Sequence, residues 1–496
     1  MKVPVRLGAI LIGLVIICGG VAWAVGLRNH GYDFDEVQRA HSIWMTSQGL
    51  RPYQDFLECH PPYFSLLSPV MRAHFDPGSV LLALRLIAAA GNLLLIAGLL
   101  TAAVSIAGAG RYEAWLATAV VAFHQSVLQF LIEFRIDGWG YAIAVWSIVR
   151  LAGSRRSWRY VEFGLTTGIA TLLFCPKLTL LSPLVVVFEV AKLRSVRDVL
   201  RVIGTYGLGL VAACVAFWLY LTANGISLER TYEFLVRYHL LANSHSGFGF
   251  GLFRSVAAVP LLGIPLLASA LVWLFGRVRT RTLPDAFTGA VAVWLVLSLI
   301  SVSYPYKQYS AAWFLFASAL LPFLAVGLNR LPRGVVAVMF ASLCALSAYG
   351  SVAEARAWAA VPAAQQQAAV LRFMNEAADP TDRVVATPPC HPIDRRDASF
   401  IWFNTVDPAG YGTEGILGSS QKLREIVSEE RYRQELDAMP PAFVVVQFWA
   451  LYPPRQRFVL ERFVEERGYI PANVGNVQFA VRPDRYDRFI GAHLAR

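Results

Sequence analysis

Charge is scarce in this chain of 496 residues, and lysine scarcer still. Asp, Glu, Lys and Arg together make up 16%, and only five of the 44 basic residues are lysines: Lys2, Lys177, Lys192, Lys307 and Lys422. So little charge, beside 56% hydrophobic residues and a mean hydropathy of +0.49, excludes an ordinary set of soluble domains. The six cysteines form no C-x-x-C pair, which excludes a zinc ribbon or a thioredoxin-type redox motif. Four of them fall in or at the ends of apolar runs and read as small buried residues. No basic and aromatic residues interleave on a soluble stretch, so nucleic acid is not a partner.

What the chain does have is apolar runs near the roughly 17–25 residues that a bilayer core of about 30 Å demands of a helix. They fall at 7–25, 81–107, 113–132, 138–151, 160–175, 178–191, 202–222, 253–275, 285–301, 309–328 and 333–350. The first, behind Lys2 and Arg6, reads as an uncleaved anchor, with a signal peptide cleaved at "AWA" (22–24) as the alternative; either way its N-terminus stays in the cytoplasm. Residues 1–350 carry 27 basic against 15 acidic residues, whereas 351–496 carry 17 against 18. A basic excess confined to the apolar part suits cytoplasmic loops facing anionic lipid. Putting every basic cluster inside makes 160–191 a hairpin of two short helices turning at Pro176. The expectation is an α-helical polytopic membrane protein with about eleven transmembrane helices over 1–350. A small extracytoplasmic α/β accessory domain is expected over 351–496. There "AAQQQAAVLRFMNEA", "SQKLREIVSEERYRQELDAM" and "PPRQRFVLERFVEERGY" read as helices, and "DRVVAT", "AFVVVQF" and "NVQFAVR" as strands. No glycine-rich phosphate loop or hydrolase elbow occurs in that part. The arginine-, alanine- and glycine-rich composition suits a bacterial inner membrane.

This topology puts the remaining ionisable residues on one outer face. Asp33, Asp35, Glu36 and His60 lie in the first outer loop. Glu133, Arg135 and Asp137 ("EFRIDGW") lie at the next, and Lys177 at the hairpin turn. Arg237, His239 and His245 lie in a large loop, with Lys307 and Tyr309 ("YPYKQY") in a later one. Charges at the hydrocarbon boundary are costly and point to function. Part of the first loop has a plainer reading. Asp33 as N-cap with Glu36 three residues on is a capping-box variant. Val37, Ala40, His41, Trp44 and Met45 then share one face of an amphipathic helix on the membrane surface, stopped at Gly49. Capping accounts for Asp33 and Glu36 and leaves Asp35 surplus.

"FDEVQRAHSIWMTSQGLRPYQDFLECHPPYF" resembles the first outer loop of the GT-C glycosyltransferases, which include protein O-mannosyltransferases and lipid A aminoarabinose transferases. The matches are Asp35-Glu36, the turn from Gly49 to Pro52-Tyr53, and His60-Pro61-Pro62. "FRIDGW", "CPKLTLL" and "YPYKQYSAAWFLFASALLP" follow in the family's order. Ile136 stands where many relatives have proline, and His60 where the aminoarabinose transferases have lysine. The resemblance implies inverting transfer of a sugar from a polyprenyl-phosphate donor to an extracytoplasmic hydroxyl on a glycan, lipid or protein. It makes Asp35 the base, with Glu36 orienting it or the acceptor, and Arg135, Lys177, Arg237 and Lys307 the candidates for the lipid phosphate. Asp137 is expected to hold Arg135, and His60, His239 and Tyr309 to line the donor site. No cofactor is required by this reading, and a divalent metal stays open. "ECHPPY" and "PPCHPI" share Cys-His-Pro, which leaves three readings: a Cys59–Cys390 disulfide, a Cys/His metal site, or separate thiols. A transporter or flippase of a lipid-linked saccharide would show internal repeats, which are not found, and a diphosphate-lipid ligase or polymerase would share the outer basic site.

Overall fold

The computed structural model describes residues 5–74, 76–237, 251–259, 262–269, 271, 285–301, 307–322, 333–400, 428–446, 454–474 and 477–494. It divides into two compact units whose segments alternate along the chain. One comprises Met1–His30, Arg85–Leu219 and Phe248–Val361; the other Gly31–Leu84, Tyr220–Gly247 and Pro362–Arg496.

The first unit is helical. Helices α1 (Val5–Asn29), α4 (Pro77–Ser105) and α10 (Val196–Ala223) are long and apolar enough to cross a bilayer. Helix α2 (Phe34–Ser47) and helix α3 (Phe64–Ala73) belong to the second unit. Two bent pairs, among them α5 (Arg111–Ala122) with α6 (Gln125–Ile132), would raise the number of spans to five among the described residues. The eleven spans expected from hydropathy are therefore not reached there. The run 113–132, for example, is apolar throughout, yet it turns by 77° between α5 and α6. The break leaves backbone groups without helical partners, and side chains take them up. The His124 ring accepts from the Ser126 N–H, and the Ser351 hydroxyl donates to the Phe123 carbonyl at 2.6 Å.

Close helix contacts rest on small residues. Helix α7 (Asp137–Gly153) meets α4 through a seven-residue repeat. Trp139 and Trp146 donate to the carbonyls of Ile87 and Leu94, each at 2.9 Å, with Gly91 and Gly98 beneath their rings. Helix α8 (Arg159–Ile169) crosses α10 at a reciprocal glycine pair. A Cβ on Gly164 would lie 2.4 Å from the Tyr206 carbonyl oxygen, and one on Gly209 2.3 Å from that of Val161. With backbone on both sides, nothing can yield. Gly164→Leu is expected to destabilise the unit by on the order of 3 kcal/mol. The check is a melting temperature in detergent, against an unchanged value for Gly153→Leu, where a Cβ meets open space.

The hairpin at Pro176 is present. Helix α8 passes into a π-turn (Ala170–Phe174) and a 3-10 turn (Pro176–Leu180) before α9 (Leu181–Val190). Pro176 begins the 3-10 turn, where its missing N–H costs nothing. The break lies against α7 because position 140 is glycine: a Cβ there would sit 2.6 Å from that of Cys175.

The second unit contains a five-stranded sheet in the order β2-β1-β3-β5-β4: β1 (Arg383–Val385), β2 (Arg396–Asp397), β3 (Phe443–Val445), β4 (Ile470–Val474) and β5 (Val477–Val481). β1 pairs parallel with β2 and β3; β5 pairs antiparallel with β3 and β4. Phe373, Phe443, Phe479 and Phe489 pack edge to face in its core. The helix Ala363–Ala377 matches its predicted stretch, and Glu429–Ala438 and Pro454–Glu466 fall within theirs, the latter ending before Gly468 at φ +64°. β4 and the two-residue β2 carry no clear alternation and were not expected.

Candidate functional site

Each unit holds its own group of the expected residues. In the first, α7 begins at Asp137 and the hairpin break brings Lys177 to it. The Lys177 ammonium donates to the Asp137 carboxylate at 2.8 Å and lies 4.1 Å from the centroid of the Tyr309 ring. Three expected residues thus meet. The lysine side chain keeps about a third of its surface exposed. An ammonium gripped by a carboxylate and a ring face, with one side open, is a fixed cation able to meet an anion. Arg135, which the sequence reading expects Asp137 to hold, donates to Glu133 at 2.7 Å and is buried. At the start of α7 the Asp137 carboxylate also faces Lys177 of the hairpin turn.

In the second unit, α2 is capped as its sequence predicts, the Glu36 carboxylate accepting the Asp33 N–H at 2.9 Å. Glu36 is wholly buried in that role. Asp35 is a quarter exposed and pairs with Arg39 at 3.3 Å. The helix does not present the exposed polar face expected of an amphipath. Residues 36 to 43 are all buried, because Glu36, His41 and Ser42 find partners inside the unit. Beyond Gly49 (φ +82°), Tyr53 takes a left-handed conformation (φ 68°) costly for an aromatic residue, and is held there by burial and by its hydroxyl, which donates to the His60 carbonyl.

Sequence reasoning missed the centre of this loop. Glu58 is fully buried and accepts from the Ser42 hydroxyl at 2.5 Å, from the N–H groups of Cys59 and His60, and faces the His60 ring at 2.7 Å. Burial pushes its carboxyl up, but the charge of His60 and the hydrogen bonds from His60 and Ser42 outweigh it and hold the group below its ordinary value. His60 is thereby oriented by a carboxylate, its ring part exposed. A depressed carboxyl stabilises the fold above its unfolded value, and that contribution is lost as pH falls through the lower folded value. Glu58→Gln is therefore expected to lower the melting temperature at neutral pH and to flatten its fall between about pH 5 and pH 3. Melting curves across that range provide the check.

Arg237 pairs with Glu233 at 3.1 Å in the π-turn Glu233–Arg237. His239, His245 and the side chain of Lys307 lie outside the described residues. Cys59 and Cys390 are both free thiols, so no disulfide joins them. His391, the neighbour of Cys390, is engaged with His41 and Asp397.

No family model matches the chain, and no curated protein matches its sequence. Solved structures do match its fold. ArnT from Cupriavidus metallidurans in the apo state aligns at 15% identity over 95% of this chain and 97% of its own, with a TM-score of 0.58. ArnT bound to undecaprenyl phosphate aligns at 15% over 95% and 98%, with 0.56. Archaeal oligosaccharyltransferase AglB from Archaeoglobus fulgidus, in complex with an inhibitory peptide and a dolichol-phosphate, aligns at 12% over 95% and 74%, with 0.51. The fold is thus that of GT-C glycosyltransferases, as the sequence resemblance implied.

Proposed function

We propose that this membrane protein transfers a sugar from a polyprenyl-phosphate donor to a hydroxyl of an extracytoplasmic acceptor, with inversion. The acceptor oxygen attacks the anomeric carbon and gives its proton to Asp35, while the bond from that carbon to the phosphate oxygen breaks and the lipid phosphate departs. Negative charge grows on the leaving oxygens, and a cation already in place stabilises it selectively at the transition state. The observation that carries this reading is Lys177, held between Asp137 and Tyr309 at the unwound turn of an apolar hairpin. Arg237 and Lys307 are further phosphate partners, and His60, oriented by Glu58, lines the donor site. Support also comes from the fold, shared with structures that hold undecaprenyl phosphate and dolichol-phosphate.

The test incubates the purified chain with a panel of radiolabelled polyprenyl-phosphate sugars and membrane extract. Label in one acceptor fraction names donor and acceptor class together. Movement of the labelled lipid across a proteoliposome without transfer would overturn the reading in favour of a flippase.

A further inference from the structure

The second unit contains a buried group that the transfer reading does not use. His41 lies mid-way along α2, His391 in the loop before β2, and Asp397 in β2 itself. Both imidazoles are fully buried and the carboxylate nearly so. His41 Nδ1 lies 2.5 Å from the Ile393 carbonyl oxygen. A carbonyl only accepts, so Nδ1 carries a proton, which leaves Nε2 as the nitrogen placed to meet a metal. That Nε2 faces Asp397 Oδ2 at 2.6 Å, while His391 Nε2 faces Oδ1 at 2.9 Å. The two ring centroids are 3.7 Å apart.

We propose that His41, His391 and Asp397 form a divalent cation site of the zinc type, which fastens α2 to the sheet. Two imidazole nitrogens and one carboxylate oxygen are a donor set zinc favours, and all three donor atoms lie within 4.8 Å of one another. Opening the 2.6 and 2.9 Å separations to the roughly 3.3 Å between tetrahedral zinc ligands takes about half an ångström of side-chain movement. Ligating histidines usually donate their other ring N–H to a carbonyl or carboxylate, as His41 does to Ile393. The competing arrangement is a protonated His41 paired with Asp397. The Cys-His motif thus contributes His391 to a centre whose other members lie elsewhere in sequence, with neither cysteine among them.

The test uses the full chain, purified in detergent with a tag free of histidine. Elemental analysis is expected to find one zinc per chain. After chelator treatment, added Co²⁺ is expected to give the visible band of a tetrahedral site, and the melting temperature to drop by about 5 °C until Zn²⁺ is restored. His391→Ala and Asp397→Asn are expected to lose at least ten-fold of the bound metal, and Cys59→Ser and Cys390→Ser to retain it. Should the first two fail to fold, the chelator and Co²⁺ measurements on the parent chain decide. Substoichiometric zinc, no cobalt band and no chelator effect would overturn the site and leave a buried imidazolium–carboxylate pair. None of these readouts depends on transfer, so the outcome is independent of the function proposed above.

Discussion

Asparagine at position 35 is expected to slow sugar transfer by ~10²–10⁴ and to leave the fold intact. The change removes the proton acceptor and little else. Asparagine has the same shape, and its carbonyl can still accept from Arg39, the partner of Asp35 at 3.3 Å. The neighbouring acids separate the base from mere negative charge. Asp33→Asn is expected to transfer at the parent rate, because asparagine caps a helix as well as aspartate. Glu36 is already committed to the Asp33 N–H. Initial rates with a labelled polyprenyl-phosphate sugar, alongside melting temperatures, compare the variants. A parent-like rate for Asp35→Asn would remove the base from this assignment. An equal loss in Asp33→Asn would show that charge at the helix start, and not proton transfer, is what counts.

Methionine at position 177 is expected to cost ~10²–10³ in rate, as removal of a fixed charge from a developing anion does elsewhere. It also removes the ammonium that the Asp137 carboxylate meets at 2.8 Å. The double variant Lys177→Met with Asp137→Asn restores charge balance and is expected to recover stability but not rate. Lys177→Arg keeps the charge and is expected to lose less than methionine, since its planar fork cannot reproduce a point charge set over the Tyr309 ring. Binding of undecaprenyl phosphate alone, without a sugar, isolates the contact. Equal affinity in parent and double variant would exclude Lys177 as the phosphate ligand.

Local features were legible before the structure and distant ones were not. The capping box at Asp33–Glu36, the break at Pro176 and the helix Ala363–Ala377 depend on residues within a few positions of one another. Hydropathy averaged over a window could not register the 77° turn between α5 and α6, since both halves are equally apolar and the stabilising Ser351 comes from far along the chain. Lys177 stood out by rarity, yet its partner Asp137 lies 40 residues away, and no local pattern links the two. Glu58 looked like one more acid in an acidic loop. Its depth is set by Ser42 and His60, and no periodicity announces that. The polar face of α2 is covered for a related reason: polar residues on a helix mark solvent only when nothing in the fold pairs with them.

The alternation of the two units along the chain has a consequence for biogenesis. His41 and Asp397 are 356 residues apart, and Leu57 bonds to the Phe400 carbonyl. At the roughly 5–20 residues per second of synthesis, the loop after the first apolar helix waits on the order of 20–70 s before its companions exist. During that interval His41 has emerged from the ribosome with its partners Ile393 and Asp397 still untranslated. A nascent chain stalled before residue 390 should therefore leave this loop open to protease, and release of the stall should close it.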